Sequence, residues 1–408
     1  MELNRKSKGE HYLRVLMLSW EFPPQIIGGL GRHVYELSRR LGNYGVETYV
    51  LTPLVDGCVS YEEFQGVKVF RVGTPLTGSK RFKSWIFSFN TELIREGIRL
   101  DYQEKGFHLV HAHDWLVGYA GRSLSRVLDV PLVSTIHATE YGRNLGLHNP
   151  MQKEIHDIER NLILDSECIV CCSNYMRDEI QNLFHPSPSK IAVIPNGASM
   201  NRYRVTDLPS DQEFEGIDKG EPVVFYVGRL VPEKGVSILI KAFRLVLQAI
   251  PSAKLVVAGR GPQGPELQRL VAELGLGDRV WFSGYVSDDL RDRIYHRANV
   301  AVFPSLYEPF GIVALEAMAS GTPVVVSDVG GLGEIVIHGE TGLKVNPLDE
   351  DNLASALIRI LSDPRLANRL RFQALKVITE KYNWDKIGAK TSQVYHAVIS
   401  RARKDGVG

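Results

Sequence analysis

The chain has 408 residues, 44% of them hydrophobic and 23% charged, with a formal net charge of +1. That length exceeds what one hydrophobic core organises and fits two domains, and the near-neutral charge gives no electrostatic basis for nucleic acid as a partner. Four cysteines, Cys58, Cys168, Cys171 and Cys172, are too few for a disulfide framework.

Met1 to His11 is polar and basic and lacks the apolar centre of a signal peptide. No apolar run reaches the length of about 18 residues that spans a membrane, so a cytoplasmic location is expected. Tyr12 to Ser19 reads as a strand rich in leucine and valine. Trp20-Glu21-Phe22-Pro23-Pro24 makes a stiff turn, and Gly28-Gly29-Leu30-Gly31 opens a helix that runs to Leu41. Strand, glycine-rich loop and helix together suit phosphate, because glycines let backbone N–H groups approach oxygen closely. Any doubly wound domain needs such a turn, however, and the dinucleotide spacing G-x-G-x-x-G is absent.

Glu47 to Thr52 is the next strand, followed by a hairpin from Tyr61 to Arg71. The aromatic and basic run Arg81 to Phe89 reads as a helix packed on the domain, with a sugar-stacking or weak peripheral membrane surface as the alternative. His108 to His113 is a strand ending in Ala112-His113-Asp114-Trp115; Pro131 to Ile136 is another, ending in His137-Ala138-Thr139-Glu140. Both put polar side chains just past the carboxyl end of a strand, where open α/β sheets bind ligands. His113 itself reads as a structural hydrogen-bonding residue. Glu167 to Cys172 is a buried strand in which cysteine serves as a small hydrophobe, since no second ligand pair follows it. Lys190 to Ile194 closes the first half, and the polar, turn-rich segment Asp207 to Glu221 is the linker.

A second α/β pattern follows. Val223 to Val227 is a strand, Gly228-Arg229-Leu230-Val231-Pro232-Glu233-Lys234-Gly235 a loop, and a helix continues to Ile250. Strands at Lys254 to Ala258, Val280 to Ser283, Asn299 to Phe303 and Pro323 to Ser327 alternate with helices. The stretch Phe303 to Met318 is the most informative: a short strand runs into a loop with Pro309 and Gly311, and helical periodicity begins at Ile312. Phe310, Gly311 and Ile312 therefore sit at a helix N-terminus, which favours an anion. Glu308 and Glu316 bracket it. Taken alone, these acids are equally readable as a helix cap and a solvated side chain. Asp349-Glu350-Asp351 precedes a helix and reads as capping acids, so no catalytic metal is expected. Trp384 to Ser400 is helical.

Taken together, Gly28-Gly29-Leu30, His137, Gly228-Arg229-Leu230 with Lys234-Gly235, and Glu308-(seven residues)-Glu316 resemble the retaining nucleotide-sugar glycosyltransferases of family 4. The resemblance covers nearly the whole chain. His111-Ala112-His113-Asp114-Trp115 is similar to glycogen and starch synthases, and the stretches from Ser19 to Val34 and from Ser134 to Glu140 look closest to actinobacterial polymethylglucose-type α-1,4-glucan synthases. Typical bacterial glycogen synthases carry Lys-x-Gly-Gly, whereas Gln25-Ile26-Ile27-Gly28-Gly29 has no lysine.

The resemblance implies the GT-B fold, an α/β architecture of two doubly wound Rossmann-like domains facing each other across a cleft. Residues 1–196 would form the acceptor domain and 203–384 the donor domain, with helix 385–408 crossing back to the first. It implies transfer of a sugar, glucose foremost, from an ADP-, UDP- or GDP-linked donor to an α-glucan or related carbohydrate, with no cofactor. The roles it implies are Arg229 and Lys234 on the departing diphosphate, Glu308 on sugar hydroxyls, and Glu316 on the ribose diol. Gly28, Gly29, Phe310, Gly311 and Ile312 would supply amide donors, His137 would contact the sugar, and Asp114 would lie on the acceptor side. Alternatives are another sugar or acceptor, such as mannosyl transfer to a lipid or small polyol, and a non-catalytic nucleotide-sugar-binding protein.

Overall fold

The structure, a computed structural model, describes residues 12–74, 82–198 and 220–405. Arg81 and most of the segment read as the linker, 207–219, lie outside the described residues, as does the N-terminal stretch to His11. Two compact units account for the chain. Unit 1 comprises Met1–Cys172, Met176–Ile194 and Trp384–Gly408; unit 2 comprises Ser173–Tyr175 and Pro195–Asn383.

Unit 1 is built on an eight-stranded sheet in the order β3-β4-β2-β1-β5-β6-β7-β8. The strands are β1 (Leu13–Leu18), β2 (Val46–Pro53), β3 (Tyr61–Phe64), β4 (Val67–Val72), β5 (Leu109–His113), β6 (Leu132–Ile136), β7 (Cys168–Cys171) and β8 (Ile191–Val193). All neighbours are parallel except the β3–β4 hairpin at the edge. Strands β5, β6 and β7 are buried throughout and β1 all but Arg14, as a sheet covered on both faces requires, with His111, His113, Ser134 and Thr135 as their buried polar residues. The helices of this part of the chain are α1 (Gly29–Leu41), α2 (Phe82–Gln103), α3 (Gly118–Leu128), α4 (Glu140–Asn144), α5 (Pro150–Asp165) and α6 (Asn174–Phe184). The aromatic run read as a packed helix is the start of α2. Phe89 is fully buried and Trp85 stacks on it at 5.3 Å, while Phe87 is exposed. Cys168, Cys171 and Cys172 are buried and unbridged, and burial pushes the Cys168 thiol up to about 11.

Unit 2 holds a six-stranded parallel sheet in the order β11-β10-β9-β12-β13-β14. Its strands are β9 (Val223–Val227), β10 (Lys254–Ala258), β11 (Val280–Gly284), β12 (Val300–Phe303), β13 (Val324–Ser327) and β14 (Leu343–Val345). The helices are α7 (Val236–Ala249), α8 (Gly264–Glu273), α9 (Asp288–Arg297), α10 (Ile312–Ala319), α11 (Gly330–Ile335), α12 (Glu350–Ser362) and α13 (Pro364–Lys381). The final helix, α14 (Trp384–Asp405), belongs to unit 1 and packs on α1. Its Trp384, Ile387, Tyr395, Val398 and Ile399 join Leu13, Val15, Met17 and Val34 in one buried cluster.

In each sheet the strand order reverses once, between β1 and β5 in unit 1 and between β9 and β12 in unit 2. At such a reversal the loops leaving the two strands diverge to opposite faces, opening a crevice at the carboxyl ends. Among the described residues no helix is long and apolar enough to cross a membrane.

Candidate active site

In unit 2 the crevice lies where β9 and β12 end. The loop after β9 tightens into a single 3-10 turn, Pro232–Lys234, and Gly235 follows with φ of +64°. A Cβ at Gly235 would stand 2.1 Å from the Pro304 carbonyl oxygen, so only glycine lets this loop close on the end of β12. The contact is reinforced by the amides of Leu306 and Tyr307, which donate to the Glu233 carbonyl at 2.8 and 3.3 Å. The two loops are thus locked together. As a result Lys234 Nζ lies 2.7 Å from Glu308 Oε2, and Ser305 Oγ donates to the same oxygen at 3.3 Å. Side-chain exposure is 17% for Lys234 and 12% for Glu308, so water screens this pair only weakly. Arg229 stands on the same loop, 48% exposed, with Nη2 3.1 Å from Glu233 Oε1.

Helix α10 begins beside these groups in the chain. Its N-cap, Gly311, has φ of +106°; no side chain caps it and no acid lies in its first turn. The terminus therefore keeps its positive dipole end uncompensated by the helix's own sequence. Both bland readings of the flanking acids are corrected here. Glu308 does not cap α10, because its carboxylate turns to Lys234. Glu316 is buried rather than solvated, with Oε2 3.5 Å from Arg291 Nε. That guanidinium also pairs with Asp288 at 3.0 Å and Asp292 at 3.3 Å. Asp349 caps α12, its carboxylate accepting from the Asn352 amide at 2.9 Å.

Unit 1 arranges its crevice differently. Glu21, which follows β1, is buried, and its Oε2 accepts from the amides of Ile27 at 2.9 Å and Gly28 at 3.0 Å. Burial pushes its carboxyl above the ordinary range, against the opposing pull of the Gly28, Ile27 and Gly31 amides. A Cβ at Gly31 would fall 2.8 Å from the same carboxylate, which explains why the helix opens on glycine here. The Gly28 amide, expected to serve a phosphate, donates here to an acid of its own chain.

At the end of β5, Asp114 is buried and holds φ of +60°. Its Oδ1 accepts from the His137 amide at 2.7 Å, and its Oδ2 pairs with Arg143 at 3.3 Å. Two residues singled out in the sequence thus meet, and the Asp114 carboxylate is held by the His137 amide and Arg143. Burial raises its carboxyl, with Arg143 pulling the other way. An edge of His137 reaches the surface, yet protein crowding and the Arg143 charge bring its imidazole down to about 3, so the ring is neutral near pH 7. His113 Nδ1 lies 3.1 Å from His137 Nε2.

Sequence reasoning missed Glu21, His33, Arg143 and Arg291. Glu21 left one signal, a lone acid between Trp20 and Phe22 directly after a strand. His33 left another: it falls three residues after Leu30 and four before Leu37, on the apolar face of α1. The two arginines carried none, because exposed and buried arginines on helices look alike in sequence.

Against known proteins, residues 27–202 match the family described as Glycosyltransferase Family 4, and residues 208–377 match Glycosyl transferases group 1. The glycogen synthase of Mycobacterium tuberculosis is 37% identical over 399 residues, covering 94% of this chain and 95% of the relative. The chain belongs to the GT-B glycosyltransferases of the glycogen synthase type. This glycosyltransferase is also 31% identical to the D-inositol 3-phosphate glycosyltransferase of Nocardia farcinica, over 91% of the chain and 85% of the relative. Sucrose-phosphate synthase from Thermosynechococcus elongatus has a similar structure, with a TM-score of 0.80, 28% identity, and coverage of 95% of this chain and all of that one.

Proposed function

We propose that this glycosyltransferase moves glucose, with retention of configuration, from a nucleoside-diphosphate glucose to an α-glucan. The observation that carries the reading is the locked pair Lys234–Glu308 at the strand reversal of unit 2. A cation and an acid held together by two interlocked loops suit a donor whose charged diphosphate and hydroxylated sugar are joined at the reacting bond. The M. tuberculosis relative supports the sugar and the acceptor class.

When the anomeric bond breaks, positive charge spreads over the sugar and negative charge grows on the diphosphate. Preorganised donors aimed at that growing charge do most of the work. Lys234 supplies a compact charge and Arg229 a forked one. The amides of Phe310, Gly311 and Ile312 add the dipole end of α10. Glu308 takes sugar hydroxyls, and Glu316, fixed by Arg291, takes the ribose diol. In unit 1, Gly29 follows the loop whose Ile27 and Gly28 amides Glu21 holds. His137 contacts the sugar as a neutral imidazole, positioned by Asp114 through its amide. A second reading, transfer to a small polyol, is favoured by the N. farcinica relative.

The test is a screen of ADP-, UDP- and GDP-glucose and GDP-mannose for nucleotide release, with glycogen, with inositol phosphate, and with neither. Release that depends on glycogen, giving an α-linked product by NMR, is the expected result. Release that depends on inositol phosphate would move the assignment to the second reading, and glycogen-independent hydrolysis would defeat both. Turnover is expected to persist in EDTA.

A further inference from the structure

The sheet of unit 1 places three imidazoles together in a way the transfer reaction does not need. His111 and His113 lie two residues apart on β5 and so project from the same face. His111 has both ring nitrogens engaged, with Tyr395 Oη and Thr135 Oγ1, each at 2.7 Å. His113 does not. Its Nδ1 meets His137 Nε2 at 3.1 Å, while its Nε2 is buried and meets no hydrogen-bond partner among the described residues. From α1, His33 brings a third ring, its centroid 5.5 Å from that of His113 and 4.9 Å from that of His137. One nitrogen from each of the three rings lies within 4.8 Å of the others.

We propose that His33, His113 and His137 form a binding site for a divalent transition-metal ion of the zinc class, and that its occupancy switches the transferase off. Three imidazoles with a fourth position open to water are a donor set that zinc accepts, and an all-nitrogen set discriminates against magnesium and calcium. With Zn–N bonds of about 2.0–2.1 Å, tetrahedral geometry puts ligand nitrogens roughly 3.4 Å apart. The His113–His137 pair already stands near that separation, and rotation of the His33 ring closes the rest. The Arg143 guanidinium near His137 opposes a second cation, while the buried carboxyl of Asp114, paired with it, offsets that charge. The inhibitory half rests on His137 contacting the sugar: a metal on that ring removes it from the reaction.

The full chain, stripped with EDTA, is titrated with Co²⁺ and followed by its visible absorption, then challenged with Zn²⁺. One Co²⁺ per chain, displaced by Zn²⁺, is expected. Affinity should drop at least about tenfold in His33→Gln and in His137→Asn, each checked for folding by circular dichroism, and stay unchanged in His148→Ala, a control at an exposed histidine. Absence of stoichiometric binding, or binding untouched in folded His33→Gln and His137→Asn, overturns the site. Zinc should abolish nucleotide release reversibly, with EDTA restoring it. Zinc bound at full turnover would leave the site standing while refuting both the switch and the sugar contact of His137.

Discussion

The two sheets present the same crevice at the same kind of strand reversal, but equip it with opposite chemistry. In unit 2 the groups at the strand ends are formal charges in contact: Lys234 on Glu308, Arg229 on Glu233, Arg291 on Glu316. In unit 1 they are neutral rings and raised carboxyls, buried and tied to backbone amides, with one ion pair, Arg143 on Asp114. A charged crevice answers a charged ligand, and a diphosphate is the most charged part of a nucleotide sugar. A neutral, hydrogen-bonded crevice answers hydroxyl groups and tolerates no stray charge. The two crevices thus differ in how much charge each sheet end retains.

The sharpest way to break this contrast is Lys234→Ala. If unit 2 stabilises the leaving diphosphate, turnover should fall by about two to three powers of ten, corresponding to about 3–4 kcal/mol at the transition state. Circular dichroism should still report a folded chain. Turnover within about threefold of wild type would make Lys234 an ordinary ion-pair partner of Glu308.

Unit 1 should answer to stability instead of rate. Glu21→Ala strips the amides of Ile27 and Gly28, both on exposed residues, of their buried carboxylate acceptor, at about 0.5–1.5 kcal/mol each. A lower unfolding midpoint in denaturant is expected, with Glu21→Gln recovering much of it because one amide oxygen remains. A neutral effect of Glu21→Ala would show that the loop finds other acceptors.

A smaller effect belongs to Glu316→Ala. Arg291 keeps Asp288 and Asp292, so the fold should hold. Loss of a ribose contact should raise KM for the donor about tenfold while kcat changes little, since such a contact binds ground and transition states alike. A fall in kcat at constant KM would reassign Glu316 to the chemistry.

The smallest effect is in pH dependence. His137 titrates at about 3 when folded and near 6.5 when unfolded, so between those values the unfolded chain holds more protons. Stability therefore falls as the pH drops through that window, by about 0.7 kcal/mol between pH 7 and 6 for this one group. The raised carboxyls of Glu21 and Asp114 act in the opposite sense on the acid side, so the measurement is a difference. Denaturant midpoints of wild type and His137→Asn should converge as pH falls from 7 to 6; parallel curves would mean the ring titrates alike in the folded and unfolded states.

The sequence made the strands and their loops legible because fully covered parallel strands are apolar runs, and Tyr12 to Ser19 or Pro323 to Ser327 look like nothing else. Strand β14 escaped because three residues, Leu343–Val345, carry no period. Lys234 and Glu308 were legible as a motif, yet their direct contact was not, since it depends on Gly235 admitting the Pro304 carbonyl across two strands. Asp114 was visible as a polar residue at a strand end, but which way it faced was set by an unusual backbone angle. Glu21 and His33 were hidden by the same cause: a polar group among apolar neighbours reads as noise until the amides or rings around it are known.

Helix α14 has a consequence for synthesis. Its tryptophan, tyrosine and aliphatic residues complete the buried cluster around β1 and α1, and Tyr395 satisfies His111 inside the sheet. Unit 1 is therefore begun first by the ribosome and finished only after residues 384–405 have emerged, behind the whole of unit 2. The nascent chain must carry an exposed apolar flank on its opening domain through some two hundred residues of translation, at about 5–20 residues per second, an interval of about 10–40 s. A holding chaperone would find its client in that window, on the bare side of α1.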